Sequence, residues 1–231
     1  MLSAFLEYIE VNALFAKRSS LRKVFASGEA LSSKQVEDFN RLLYQSSGTE
    51  LINLYGPTEA TVDVSYYSCP VHEVPANIPI GKPIDNIQLY IVDRFMQLQP
   101  IGIPGELCIS GVGLALGYLN NPELTAEKFI KNRSNRSYKT YIIYKTGDLA
   151  RWLPNGNIEF LGRIDHQVKL QGFRIELGEI ENRLLIHPGV KDAVVIAKDN
   201  GAEDKFLCAY IVPKNKEEKL ALNTEELKIY L

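Results

Sequence analysis

Hydrophobic positions change their spacing along the chain, and the changes predict an α/β segment, a β-rich segment and a small α+β segment, in that order. In "LRKVFASGEAL" a short apolar run leads into a Ser-Gly turn, which predicts a strand. "SSKQVEDFNRLLY" then places Val36, Phe39, Leu42 and Leu43 on one helical face, with Ser32 and Gln35 at capping-box spacing. "ELINLYG" is the next strand. Gly56 and Pro57 stop it, Gly56 through the dihedrals it permits and Pro57 through its missing amide hydrogen. Strand, helix, strand at this length predicts a parallel pair joined by a crossover.

From about residue 78 to 162 the runs become short and alternating. "IQLYIVD", "GELCIS", "YIIYKTGDLARWL" and "NIEFLG" predict strands of a barrel-like subdomain, with "PNGN" as a hairpin turn. "NNPELTAEKFI" interrupts them as a helix with Pro122 near its first position. Beyond Arg163, "HQVKLQGFRI" predicts a hairpin. "ELGEIENRLLIHPGV" is a helix with Leu177, Ile180 and Leu184 on one face, closed by Pro188 and Gly189. "AVVIAKD" and "FLCAYIVP" follow as strands, "KNKEEK" as a solvated loop, and "NTEELKIYL" as the start of a helix capped by Asn223. An end in mid-helix predicts that the last unit is truncated.

Composition narrows the function classes. The 231 residues are 45% hydrophobic and 23% charged, enough for a packed core. A net charge of -2 with no basic stripe argues against nucleic-acid binding, which needs clustered Lys and Arg. No apolar run approaches the ~20 residues of a membrane span, and the opening "MLSAFLEYIEVNALF" carries Glu7 and Glu10 rather than a basic leader. Cys69, Cys108 and Cys208 are isolated and read as reduced core cysteines of a cytoplasmic protein, and His72, His166 and His187 are too scattered for a metal site.

Four polar segments are poor choices for core or caps: "NLYGPTE", "GELCISGVGLALGYL", "YKTGDLARW" and "GRIDHQVKLQGFRIELGEIE". In the first, Thr58 and Glu59 follow a strand's C-terminal end, where open α/β sheets collect ligands. The glycines of the second, at 105, 111, 113 and 117, demand tight turns but form no P-loop. In this order and spacing the segments resemble the C-terminal part of an amino-acid adenylation domain of a non-ribosomal peptide synthetase, within the AMP-binding, adenylate-forming superfamily. The resemblance covers essentially the whole chain. It implies that residues 1–164 belong to the large AMP-binding domain and residues 165–231 to a truncated small C-terminal domain that follows a hinge at Asp165.

The resemblance also implies a reaction. ATP and an amino acid would give an aminoacyl-adenylate and pyrophosphate, and the acyl group would pass to the phosphopantetheine thiol of a carrier domain. Tyr55 would stack on adenine, and Asn53 would reach its edge. Gly56 would belong to the same nucleotide-binding loop. Thr58 would bond a phosphate oxygen, and Glu59 would hold Mg²⁺, a hard cation that wants few carboxylates plus phosphate oxygens. Asp148 would accept the ribose hydroxyls, since an ionised carboxylate offers acceptors only. Phe160 and Arg163 would lie near the nucleotide. Lys169, with Gly172, would come to the site after rotation about Asp165.

Departures from the family pattern are Leu116 and Gln171 where arginines are usual, and Phe160 where a tyrosine is usual. The family's phosphate loop, its ammonium-binding aspartate and a late lysine would all lie outside these residues. The N-terminal half of the same domain is therefore an expected partner, and the chain alone is expected to be inactive and weakly soluble. An acyl-CoA synthetase is the alternative enzyme class, sharing "YGPTE" and "TGD", and a non-catalytic product of a broken gene is the alternative outside enzymes. Five positions of the family's side-chain pocket fall in this chain: Phe25, Ser27, Leu54, Val62 and Asp63. Three bulky apolar residues predict a small pocket, and an unpaired buried carboxylate is costly unless a substrate hydroxyl bonds it. The order Phe-Ser-Leu-Val-Asp resembles serine-activating members, with threonine as runner-up.

Overall fold

In the computed structural model, residues 1–12, 20–133, 140–165, 167–170, 173–199, 205–214, 227, 230 and 231 are described. The chain divides into two compact units, Met1–Ile164 and Asp165–Leu231.

The larger unit opens with helix α1 (Leu2–Val11), an element not predicted above although Leu2, Phe5, Leu6 and Ile9 recur at helical spacing. Strand β1 (Lys23–Ala26) and strand β2 (Glu50–Tyr55) are parallel, and the crossover between them contains helix α2 (Ser33–Phe39). The capping box forms as predicted: the Ser32 hydroxyl accepts from the Gln35 amide, and the Gln35 side chain accepts from the Ser32 amide at 2.9 Å. The helical run does not stay α. Asn40–Tyr44 widens into a π-helical turn, and the left-handed Gly48 ends the run after Gln45–Ser47. Leu6 and Ile9 of α1 pack with Val36, Phe39, Leu43 and Leu51 into one core. Strands β3 (Ser65–Ser68) and β4 (Lys82–Pro83) complete a sheet of order β1-β2-β3-β4, in which the β2–β3 and β3–β4 pairs are antiparallel.

Among the described residues the β-rich part is an open sheet rather than a closed barrel. Strands β5 (Ile87–Val92), β6 (Gly105–Gly111), β7 (Phe129–Arg133) and β8 (Thr140–Trp152) run in the order β5-β6-β8-β7, and β9 (Ile158–Arg163) pairs with β8. Helix α3 (Pro122–Lys128) has Pro122 in its first turn and the Asn121 side chain as cap. It stops before Phe129, so the "FI" read as helix belongs to β7, where Phe129 stacks on Tyr144 at 5.0 Å between ring centroids. The main core joins this sheet to the "YGPTE" turn through Tyr55, Ala60, Val64, Leu107, Ile109, Tyr144, Ala150 and Ile158.

The smaller unit contains the predicted hairpin β10 (Val168–Leu170) and β11 (Phe173–Ile175), helix α4 (Leu177–Ile186), and the antiparallel pair β12 (Val190–Asp199) and β13 (Lys205–Pro213). Leu177 and Leu184 pack on Val190, Ala193, Val195 and Leu227, as the helical periodicity requires. Asn223, the expected cap of a last helix, lies outside the described residues.

Candidate functional site

Strand β8 places Asp148 by breaking its own ladder. Cys108 of β6 faces Lys145 and Glu106 faces Leu149, so Leu107 alone opposes Thr146, Gly147 and Asp148. Gly147 sits at φ 72°, which suits glycine and strains other residues. Bonds to β6 and within the turn hold the bulge. The Thr146 hydroxyl donates to the Leu107 carbonyl at 2.6 Å, the Asp148 amide to the Thr146 hydroxyl at 2.9 Å, and the Gly147 amide to Glu106 at 3.2 Å. Bulges of this kind re-aim side chains beside functional sites.

The re-aimed carboxylate meets two of the residues expected to face a nucleotide. The Tyr55 hydroxyl donates to Asp148 Oδ2, and Arg163 Nη1 donates to Asp148 Oδ1 at 2.8 Å. Arg163 Nη2 also donates to the Thr146 carbonyl at 3.1 Å. Burial first, and the Asp148 charge second, push the Tyr55 phenol well above its ordinary range. Tyr55 therefore remains a neutral donor at neutral pH. Phe160 packs against the same core, its ring 6.4 Å from that of Tyr55. Asn53 is buried and donates to the Pro79 carbonyl at 2.8 Å.

The "GPTE" turn follows β2. Gly56 is needed for close approach rather than for the unusual dihedrals expected of it. Its φ is not positive, but a Cβ there would lie 2.2 Å from the Val62 carbonyl. Thr58–Ala60 forms a single 3₁₀ turn that leaves Thr58 exposed and Glu59 buried. Glu59 is held by the segment after β6: the Tyr118 hydroxyl donates to Glu59 Oε1 at 2.7 Å, and the Ala115 amide to the Glu59 carbonyl at 2.8 Å. Burial, with Tyr144 and Glu59 nearby, raises the Tyr118 phenol pKa, so it too stays a donor. Among the described residues no group of three or more His, Cys, Asp or Glu could by itself hold a metal ion. Glu59 fits a cation that takes one carboxylate and finds its other oxygens on a phosphate.

Two consecutive residues past the turn are backbone outliers. Thr61 has φ 59° and Val62 has φ 75°. The Asp63 amide donates to the Thr61 carbonyl at 3.1 Å, so Val62 is the centre of a γ-turn with positive φ, a rare and strained form. For a β-branched residue such a conformation costs on the order of 1–3 kcal/mol.

The five positions expected to line a side-chain pocket divide. Phe25 and Val62 are 61% and 66% exposed, Leu54 and Asp63 are half-buried, and Ser27 is exposed. Ser27 Oγ donates to Asp63 Oδ1 at 2.7 Å, so the carboxylate expected to be unpaired has a neighbouring donor. Lys169 lies on β10 opposite Arg174, and Gly172 lies outside the described residues. The Gln167 amide donates to Asp165 Oδ1 at 3.3 Å. Sequence reasoning missed Tyr118, Thr61, Thr146 and Glu106. Each acts across a long stretch of sequence or within a bulge, and no local spacing announces either.

The AMP-binding enzyme family model matches residues 1–119, and the model of the AMP-binding enzyme C-terminal domain matches residues 179–230. The chain is 55% identical to a mycosubtilin synthase subunit of Bacillus subtilis over 91% of its length, and 50% identical to zwittermicin A synthase ZmaJ of Bacillus cereus over 100%. It spans 8% of the first and 42% of the second, less than half the length of either. Its fold matches the whole chain to 44% of NpsA-ThdA, an artificially fused adenylation–PCP di-domain from Klebsiella oxytoca, with a TM-score of 0.74 and 26% identity. The chain belongs to the AMP-binding enzyme family and, within it, to the adenylation domains of non-ribosomal peptide synthetases.

Proposed function

We propose that this chain supplies the nucleotide-facing and substrate-facing walls of a site that activates an amino acid with ATP and passes it to a carrier domain. The observation that carries the reading is the Tyr55–Asp148–Arg163 cluster at the Gly147 bulge. Asp148 would accept the ribose hydroxyls while Arg163 pairs with its other oxygen, and Tyr55 and Asn53 would receive the base. Thr58 would bond a phosphate oxygen from its exposed turn. Glu59 would hold Mg²⁺, which when bound would offset phosphate charge while the amino acid's carboxylate displaces pyrophosphate from the α-phosphorus. Lys169 would act in the second unit after rotation about Asp165. The carrier partner is supported by the adenylation–PCP architecture of the Klebsiella oxytoca structure.

Serine is the proposed substrate. Asp63 accepts from Ser27, but a carboxylate offers about four acceptor sites, so the bond leaves capacity for a substrate hydroxyl. A site that bonds a hydroxyl rejects the analogue lacking it more strongly than size alone allows. The test is amino-acid-dependent ATP–pyrophosphate exchange by the native polypeptide that contains these residues, across serine, threonine, alanine, glycine and a fatty acid. Serine should lead, and Asp63→Ala should erase its advantage over alanine. Alanine matching serine in the wild type, or a ratio unmoved by Asp63→Ala, would remove serine from the proposal, and exchange with the fatty acid alone would remove amino-acid activation.

A further inference from the structure

We infer that Thr61, which is not among the pocket positions, is a positioning residue for substrate selection: its hydroxyl clamps the strained turn that presents Val62 and Asp63. The inference deepens the amino-acid-activating reading and rests on it. The turn between β2 and β3 returns to the sheet through the Val64 amide, which donates to the Tyr55 carbonyl at 2.8 Å. Within the turn, Thr61 and Val62 both have positive φ. Val62 is 66% exposed, so its own packing cannot enforce that conformation. A strained backbone persists only where its surroundings over-determine it.

Thr61 supplies the determination. Its hydroxyl donates to the Gly113 carbonyl at 2.6 Å, tying the turn to the glycine-rich segment after β6. The segments are already close there, since a Cβ on Gly113 would lie 3.2 Å from the Ala60 carbonyl. Asp63 is thus fixed from two sides: its amide bonds the Thr61 carbonyl, and its carboxylate accepts from Ser27. Without the Thr61 hydroxyl, the γ-turn is free to relax to a commoner conformation. Relaxation moves Val62 and Asp63, the two pocket positions that share the turn, and leaves Tyr55 and Asp148 on their strands.

Thr61→Val removes the hydroxyl at nearly constant shape, Thr61→Ala removes it with less bulk, and Thr61→Ser keeps it. Hydrogen exchange on the 231-residue chain should show the Asp63 amide about fivefold less protected in the first two variants, the change expected for one hydrogen bond of ordinary net strength. Thr61→Ser should match the wild type, and the β2 and β3 amides should not change. In the native polypeptide, the exchange-rate ratio of the best amino acid to its nearest competitor should fall about as much in Thr61→Val and Thr61→Ala, while the KM for ATP stays the same. Unchanged Asp63 protection, an equal loss across β2 and β3, an unmoved selectivity ratio, or a Thr61→Ser variant that behaves like Thr61→Val would each overturn the inference. A wild type with no amino-acid-dependent exchange would instead overturn the proposed function, and the selection role with it; the protection measurement would still show whether Thr61 holds the turn.

Discussion

Asp148, Tyr55 and Cys108 show how much a residue's chemistry depends on what surrounds it. Asp148 is one of several aspartates, but the bulge buries it between a phenol and a guanidinium. Cys108 is pushed up to about 12 from an ordinary value of 9.0, by burial first and then by the Glu106 charge, and Cys69 rises to about 11 through burial. Tyr55 and Tyr118 move the same way. These groups hold their protons in the folded chain longer than in the unfolded one. Their stabilisation is fully present below pH 9 and is lost as pH rises through the folded-state values. The urea midpoint of the chain should therefore be flat from pH 7 to about 8.5 and fall steadily above pH 9, and Cys108→Ala should reduce that slope even if it lowers the midpoint. A slope identical in Cys108→Ala and wild type would show that the thiol does not titrate with unfolding. Tyr55, Asp148 and Arg163 stood out in the sequence through their motifs, and the structure brings them together. The Ser27 bond to Asp63 was not, because the two residues are 36 positions apart and no pattern joins them.

At the scale of elements, periodicity was a good guide wherever one face of an element is buried. The β1–α2–β2 crossover, the capping box, the β10–β11 hairpin and the face of α4 follow from spacing alone. Spacing was present but unread at α1, where Leu2, Phe5, Leu6 and Ile9 share a face, and it failed at the short strands β3 and β4 and at Phe129, where helix and strand meet without a glycine or proline between them. Closure was not legible for a related reason: alternation specifies strands but not whether the outer two meet, and among the described residues they do not. β8 is the informative case. Its thirteen residues read as one strand, yet β7 pairs with its first part and β9 with its last, and the bulge between them re-aims Asp148. Gly147→Ala tests that link. A Cβ at φ 72° should cost about 1 kcal/mol or more in stability, and in the native polypeptide the KM for ATP should rise as Asp148 turns away. Lower stability with an unchanged KM would separate the bulge from nucleotide binding.

The whole molecule is two units with separate cores: the first has one around Tyr144 and Leu107 and another around Phe39 and Leu43, and the second has one around Leu184 and Val190. The division falls between Ile164 and Asp165, one residue after the Arg163 that bonds Asp148. The Ile164 amide donates to the Gly147 carbonyl at 2.8 Å, so the end of β9 is fastened to the bulge itself. A rotation about Asp165 would therefore begin where the Tyr55–Asp148–Arg163 cluster ends, and hinge motions are absorbed by a few dihedrals at such element ends. The proposed two-step reaction requires this freedom for transfer, once the adenylate has been made. Asp165→Pro fixes φ near about -65° without touching Tyr55, Asp148 or Arg163. In the native polypeptide, ATP–pyrophosphate exchange should persist within about threefold, because it needs one orientation of the second unit. Transfer of the labelled amino acid to the carrier should fall by about tenfold or more, because it needs the other. Equal loss in both assays would indicate disruption of the Arg163–Asp148 end of the hinge, and undiminished transfer would place the pivot elsewhere in the chain.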